Sequence, residues 1–435
     1  MTSGVNIREL VLDILIEVNE NEQYSHLMIR DVLNKYQYLE KQERAFLTRL
    51  AEGTIEHMLE MDFIINSFSK VKVKKMKPLI RNLLRMSVYQ LKYMDSIPDA
   101  AVCNEAVKLA RKRGFGQLRG FVNGVLRNIA RELSHLQYPD EKLEPVRFLE
   151  VKYSVPEWMA SQWIKDYGYE QTKTICESFL TERPITIRTN LTKTTPEALK
   201  ERLIAEGVEV NEVPELDYAF EISGFDYLQL LDSFAEGLFY VQDISSMMVA
   251  EKTAPKKDSY IIDVCAAPGG KSSHLAEKLA GTGMVEARDL TEYKVSLIEE
   301  NIQRHGLNNM NAVQMDATIL DEASKNKADV LICDLPCSGL GVMGKKTDIR
   351  YKMTPEKQKD LVKLQRQILS TVHAYVKPGG TLMYSTCTIH KGENEENVAW
   401  FVKNYPEFDV VSQEQMFPGG LYHDGFFIAK LVRKS

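Results

Sequence analysis

Two cysteines stand where apolar runs give way to polar turns. Cys387 lies in TLMYSTCTIH, and Cys337 lies fifty residues earlier in LICDLPCSGLG. Thiolate sulfur is soft and strongly nucleophilic. At the ends of two predicted strands, such a pair could attack an electron-poor ring and then let the product go. A third stretch, DVCAAPGGKSSHLAEKL, reads as a strand, a tight glycine turn and a helix start. Its turn consists of Cys265, Ala266, Ala267, Pro268, Gly269, Gly270 and Lys271. Two familiar phosphate-binding patterns fail there. A Walker A loop needs glycine where Cys265 stands, and G-x-G-x-x-G is absent.

Three acids follow at predicted strand ends: Asp289, 19 residues past Gly270, then Asp316 and Asp334. A carboxylate at about the first spacing meets a ribose hydroxyl in doubly wound folds. Three carboxylates repel a triphosphate but suit a nucleoside with a positive centre. S-adenosylmethionine carries a sulfonium and no phosphate. A single strand-end Asp is as readily a helix cap; three beside a glycine turn favour a ligand rim.

The thiols suit methylation of a pyrimidine. Carbon 5 of cytosine is too electron-poor to take a methyl group directly. Thiolate addition at carbon 6 makes carbon 5 enamine-like; a base then removes the carbon 5 proton and the thiol leaves. One cysteine must stand nearest the methyl donor, and a second can assist release. A lone cysteine is more often a small core residue, and Cys103, Cys176 and Cys333 are read as core. Cys265 is read as acting through its backbone. CDLPC lacks a second pair at zinc spacing, so no metal is expected. A Cys337–Cys387 disulfide is disfavoured in a reducing compartment.

These residues need a scaffold. From Tyr260 onward, SYIIDVC, GMVEARD, NAVQMD, ADVLICDLP and TLMYSTCT alternate with helical patterns, predicting a doubly wound sheet of parallel strands with ligands at their carboxyl ends. Before it, PITIRTN, TTPEALKERLIAEG, VEVNEVPE and AFEIS read as β-α-β-β, a small ferredoxin- or RRM-like subdomain without an RNP aromatic signature. LSHLQYPDEKLEPVRF, with Pro139 and Pro145, reads as a linker. The first 135 or so residues read as all-helical, with apolar stripes such as Ile7, Leu10, Val11, Ile14, Leu15 and Val18.

Two basic stretches interrupt this helical part. KVKVKKMK holds five lysines, and residues 101–130 hold Lys108, Arg111, Lys112, Arg113, Arg119 and Arg127 against the single acid Glu105. Such runs are either solvated faces or RNA contacts. The net charge of -6 argues against wholesale basic coating by nucleic acid. A length of 435 residues implies two or three domains. The assignment is 1–140 all-helical, 150–238 small α+β, and 239–435 catalytic. No apolar h-region opens MTSGVNIREL and no apolar run reaches membrane length, so a cytoplasmic protein is expected.

CAAPGGK, DLPCSGLG and YSTCT together resemble the RNA cytosine-C5 methyltransferase (Sun) family, as do YVQDISSMM and DGFFIAKL. The helical part with FVNGVLRNI is similar to the antitermination factor NusB, a pairing that resembles the bacterial 16S rRNA branch of the family. The resemblance covers nearly the whole chain. It implies a Rossmann-like S-adenosylmethionine methyltransferase domain, an all-α NusB-like domain and an RRM-like subdomain. The implied partner is 16S rRNA, with cytosine 967 the implied target, bound by a monomer without membrane contact.

The resemblance also implies roles. Cys387 is the nucleophile, and Cys337 helps eliminate the product. Cys265 to Lys271 wrap the methionine and ribose of the donor. Asp289 takes the ribose hydroxyls and Asp316 sits near the adenine amine. Asp334 lies between donor and base, with Lys271 in support. Arg288 departs from the small or apolar residue usual before the acid. Other readings stay open: another RNA such as tRNA or 23S rRNA, a DNA cytosine-C5 methyltransferase with Cys337 as nucleophile, or a non-catalytic antitermination-like factor.

Overall fold

The computed structural model describes residues 4–419 and 424–435. The chain forms two compact units. One runs to Leu180 and includes Met343–Lys352; the other comprises Thr181–Val342 and Met353–Ser435.

The first unit is helical. Its longer helices span Ile7–Glu20, Lys41–Glu56, Pro78–Tyr93, Asp99–Lys112 and Arg119–Glu132. The predicted stripes converge on one core, where Val11, Leu15, Leu83, Leu84, Val122, Leu126 and Ile129 are almost fully buried. Each such side chain contributes about 1.5–3 kcal/mol of burial. The expected linker is shorter than its prolines suggested. Pro145 takes the first turn of a helix, Pro145–Tyr153, where its missing N–H costs nothing. Two more helices follow, Glu157–Tyr167 and Tyr169–Ser178. The segment Met343–Lys352 is held in this unit by polar contacts. Ser25 donates its hydroxyl to Asp348 at 2.7 Å, and fully buried Arg350 donates to the carbonyls of Glu56, Tyr153 and Met343.

The second unit carries two sheets. The smaller has strands β1 (Ile185–Thr189), β2 (Glu209–Glu212), β3 (Ala219–Ser223) and β4 (Phe239–Val241), ordered β2-β3-β1-β4 and antiparallel throughout. With its crossover helix Pro196–Ala205, this is the ferredoxin-like arrangement. Thr195 caps that helix as expected.

The larger sheet comprises β5 (Tyr260–Asp263), β6 (Met284–Asp289), β7 (Met310–Gln314), β8 (Ala328–Asp334), β9 (Val376–Thr386), β10 (Phe408–Met416) and β11 (Phe426–Arg433). Its order is β10-β11-β9-β8-β5-β6-β7. The five predicted strands, β5 to β9, are parallel, and the fold is Rossmann-like. The expectation of an all-parallel sheet is corrected at one edge. There β11 runs antiparallel to both β9 and β10, so the sheet is mixed.

Arg188 on β1 ties the two sheets of this unit together. Its guanidinium lies 2.7 Å from Glu277 on the helix Gly270–Lys278, and both side chains are buried. It also donates to Gln242 at 2.8 Å and stacks over Tyr240. Among the described residues, no helix is long and apolar enough to cross a membrane.

Candidate active site at the strand ends

Chain reversal in strand order places a crevice between β5 and β8, at the carboxyl ends of the parallel strands. Most of the predicted site residues stand there. Asp289 and Asp334 are the last residues of β6 and β8, and Cys387 follows the last residue of β9. Asp316 lies two residues beyond β7, slightly past the strand end expected for it.

The turn after β5 is built for close backbone approach. Gly269 caps the helix Gly270–Lys278 at φ +101, a conformation that strains any residue with a Cβ. At Gly270 a Cβ would meet nothing within 4 Å, so open space fronts the helix start. Asp289 clamps the turn from the next strand: its carboxylate accepts the Ala267 N–H at 3.0 Å and the Leu290 N–H at 2.8 Å, and Lys294 pairs with it at 3.1 Å. Asn301 donates to the Pro268 carbonyl. Cys265 is partly buried, and burial with Asp263, Asp289 and Asp334 pushes its thiol up.

Arg288 does not disturb this arrangement. Strand alternation turns its side chain to the opposite face. There it pairs with Glu286 and Asp321, donates to Ser324 and lies over Tyr375. Asp316 accepts the Thr318 N–H and hydroxyl, and these bonds hold its carboxyl below the usual range.

At the centre, Lys271 donates to Asp334 at 2.7 Å, and Ser385 donates to the other Asp334 oxygen at 2.8 Å. The register explains the second contact, because Asp334 and Ser385 are paired residues of β8 and β9. Burial works against the Lys271 ammonium, yet Asp334, Cys387 and Asp263 together hold it above its ordinary value. The Cys337 and Cys387 sulfurs lie 3.3 Å apart, and all six cysteines carry free thiols. Cys337 is raised well above a normal thiol, first by its hydrogen bond to Cys387 and then by burial. Cys103, Cys176 and Cys333 are buried in cores.

Sequence reasoning missed the residues that hold the two thiols. Glu393 is completely buried and accepts the Ser338 N–H at 2.8 Å, the Ser338 hydroxyl at 2.5 Å and the Gln365 amide at 3.0 Å. Ser338 also meets the Thr388 hydroxyl at 2.8 Å. Asn394 accepts from Thr386 and donates to the Thr388 carbonyl. One carboxylate therefore ties the loop after Cys337 to the loop after Cys387. Backbone contact reinforces it: Gly341 donates to the Cys387 carbonyl at 3.1 Å, and a Cβ on Gly341 would stand 1.8 Å from the Gly425 carbonyl. The acid-and-amide run GENEEN was the available signal. Asp263, also missed, ends β5 fully buried. It accepts the Ser272 hydroxyl at 2.5 Å, and burial pushes its carboxyl up to about 7.

The donor set fits S-adenosylmethionine. Asp289 and Asp334 both bond to the open glycine turn, and carboxylates attract a sulfonium as readily as they repel phosphates.

Comparison with known proteins gives the same outline. Residues 250–432 match the family model described as 16S rRNA methyltransferase RsmB/F. Residues 5–131 match the NusB family, and 155–225 match an RsmF/B-like ferredoxin-like domain. A probable ribosomal RNA small subunit methyltransferase B of Bacillus subtilis is 36% identical over 99% of both chains. Its counterpart in Synechocystis is 30% identical over 99% of this chain and 100% of the relative. The solved structure of PH0851 superposes with a TM-score of 0.81 at 26% identity, covering 99% of this chain and 100% of that one.

Proposed function

Because the chain belongs to the RsmB/F family of S-adenosylmethionine-dependent 16S rRNA methyltransferases, we propose that it methylates carbon 5 of one cytosine in 16S rRNA through a covalent bond between Cys387 and carbon 6. Cytosine 967, implied by resemblance, is the candidate position. The observation that carries this reading is the 3.3 Å pair of sulfurs beside the Lys271–Asp334–Ser385 chain of hydrogen bonds. A methyltransferase without covalent chemistry has no use for two free thiols held together by a dedicated buried carboxylate.

The residues divide the work as follows. Cys265 to Lys271 hold the methionine and ribose part of the donor, Asp289 its ribose hydroxyls and Asp316 its adenine amine. When bound, S-adenosylmethionine supplies an electrophilic methyl group for carbon 5. Cys387 gives its thiol proton to solvent and adds as thiolate to carbon 6, and the ring electrons move to carbon 5. Asp334, held by Lys271 and Ser385, hydrogen-bonds the nitrogen 3 side of the base. Cys337 acts last. Before reaction its proton is retained chiefly because of the neighbouring Cys387 sulfur. Once Cys387 is bonded to carbon, the first cause raising Cys337 is removed while burial and Glu393 remain. A solvent base takes the carbon 5 proton past Cys337, the double bond re-forms, and Cys387 leaves as thiolate.

The target base must leave its stack to reach such a crevice, at a cost of a few kcal/mol that is least in a loop. Mass mapping of 16S rRNA from a strain lacking this protein tests the proposal. One 5-methylcytosine should disappear and return when the purified enzyme and donor are added. Retention of every 5-methylcytosine would refute it.

A further inference from the structure

The sulfurs of Cys337 and Cys387 meet without a covalent bond. Both side chains are only partly buried, whereas Cys103, Cys176 and Cys333 are closed off in cores. An oxidant in solution therefore reaches this pair before those three thiols. The two sulfurs are also held in place from both sides. Glu393 accepts the Ser338 N–H next to Cys337, and Gly341 donates to the Cys387 carbonyl at 3.1 Å. Neither loop has to travel for the sulfurs to close from 3.3 Å to bonding distance; a small side-chain rotation suffices.

Lys271 sets the order of events. Cys387 is among the groups that hold the Lys271 ammonium above its ordinary value, so cation and sulfur feel each other. A thiol beside a cation forms its thiolate more readily, and the thiolate is what attacks a peroxide. Cys337 is instead raised well above a normal thiol, by its bond to Cys387 and by burial. Cys387 is thus the sulfur oxidised first, and Cys337 is the neighbour placed to resolve it.

We propose that Cys337 and Cys387 are a site of reversible oxidation: hydrogen peroxide joins them in a disulfide that halts methylation and shields Cys387 from irreversible damage. The Cys387 thiolate attacks one peroxide oxygen, the O–O bond breaks, and hydroxide leaves to become water with the proton that Cys387 gave up. The product is a sulfenic acid. The Cys337 sulfur then attacks the Cys387 sulfur; the S–O bond breaks, and the departing hydroxide takes the Cys337 proton as a second water. Two thiols and one peroxide thus yield one disulfide and two waters. The sulfurs lose two electrons and the peroxide gains them. A dithiol reductant reverses the step by thiolate exchange at sulfur. In a reducing compartment the bond is transient, in keeping with reduced thiols at rest. The disulfide depends on the thiol geometry alone; its effect on methylation rests on the reading of Cys387 as nucleophile.

The test treats reduced, full-length protein with hydrogen peroxide in the absence of RNA and donor, blocks the remaining thiols with iodoacetamide, and maps the peptides by mass. Wild type should yield a linked Cys337–Cys387 pair, lighter by two hydrogens and returned to two alkylatable thiols by dithiothreitol. Cys337→Ser should instead carry sulfinic or sulfonic acid at Cys387, which dithiothreitol does not reverse. After peroxide and then dithiothreitol, wild type should regain most of its methyl transfer to RNA, whereas Cys337→Ser should lose most of its protein–RNA adduct. Calorimetry with S-adenosylmethionine verifies that the oxidised protein and the variant are folded. Irreversible oxidation of Cys387 in wild type as fast as in the variant would overturn the proposal. So would a disulfide from Cys387 to any cysteine other than Cys337. The mass map needs no RNA. A Cys337–Cys387 disulfide in a protein that methylates no cytosine would refute the methylation reading alone, and a methylating protein that never forms the disulfide would refute this proposal alone.

Discussion

The Cys337 and Cys387 sulfurs face each other at 3.3 Å, and their loops are pinned by the same buried carboxylate, Glu393. At that separation the protons of the two thiols belong to the pair.

The two thiols should therefore fail differently. Cys387→Ala should abolish methylation and adduct formation while donor binding by calorimetry persists. Cys337→Ala should bond to RNA but release it slowly, leaving a protein–RNA band on a denaturing gel. Turnover by Cys387→Ala, or an adduct formed through Cys337 alone, would reassign the nucleophile.

Lys271 is the sole cation hydrogen-bonded to Asp334 among the described contacts. Replacing it with Met leaves Asp334 with only the Ser385 hydroxyl. Single-turnover methyl transfer should slow by about 10²–10⁴-fold, the range for loss of a positioned acid–base or electrostatic group. Asp334→Asn should fall in the same range. A drop of less than tenfold in both would remove this pair from the chemistry.

Glu393 should matter first to structure. Glu393→Ala leaves the Ser338 N–H without its acceptor and removes one hydrogen bond each from the Ser338 hydroxyl and the Gln365 amide, which keep Thr388 and the Pro336 carbonyl; it should cost about 3 kcal/mol in denaturant unfolding. Adduct formation should slow in parallel because the thiol loops lose their common anchor. An unfolding midpoint equal to wild type would show that water replaces the carboxylate without penalty.

Asp263 gives a pH signature. Burial raises its folded carboxyl to about 7, against an ordinary value of 3.8. The folded state thus binds the extra proton between these two values. Stability from this group is fully present below about pH 4 and is lost as pH rises toward 7. Asp263→Asn should remove that component. The difference in unfolding free energy between wild type and variant should shift in the variant's favour from pH 5 to pH 7.5, by up to about 3 kcal/mol at 1.36 kcal/mol per unit. A pH-independent difference would show that Asp263 titrates normally.

Legibility in sequence followed burial symmetry. The strands β5, β8 and β9 carry buried apolar residues on both faces and announced themselves as runs; so did the helical stripes of the first unit. β10, Phe408–Met416, is exposed at most positions and reads as polar, so the antiparallel edge went unseen. β4 has three residues, too few for any period. Pro145 looked like a breaker because a helix's first turn and a linker make equal use of proline. Among site residues, the thiols and strand-end acids were visible because reactive or charged groups beside apolar runs are conspicuous. Asp263 and Glu393 were not, since a buried carboxylate and a surface one are the same letter until their partners are known.

The excursion of Met343–Lys352 bears on how this protein can be divided. The chain departs the sheet-bearing unit after Val342 and rejoins it at Met353. A gene fragment starting at Thr181 would carry a stretch whose Arg350 has lost the carbonyls of Glu56 and Tyr153. A fragment stopping at Leu180 would leave Ser25 without its acceptor Asp348. No single cut of the chain keeps all of these contacts, so each half made alone should be less stable than the same residues in the full chain.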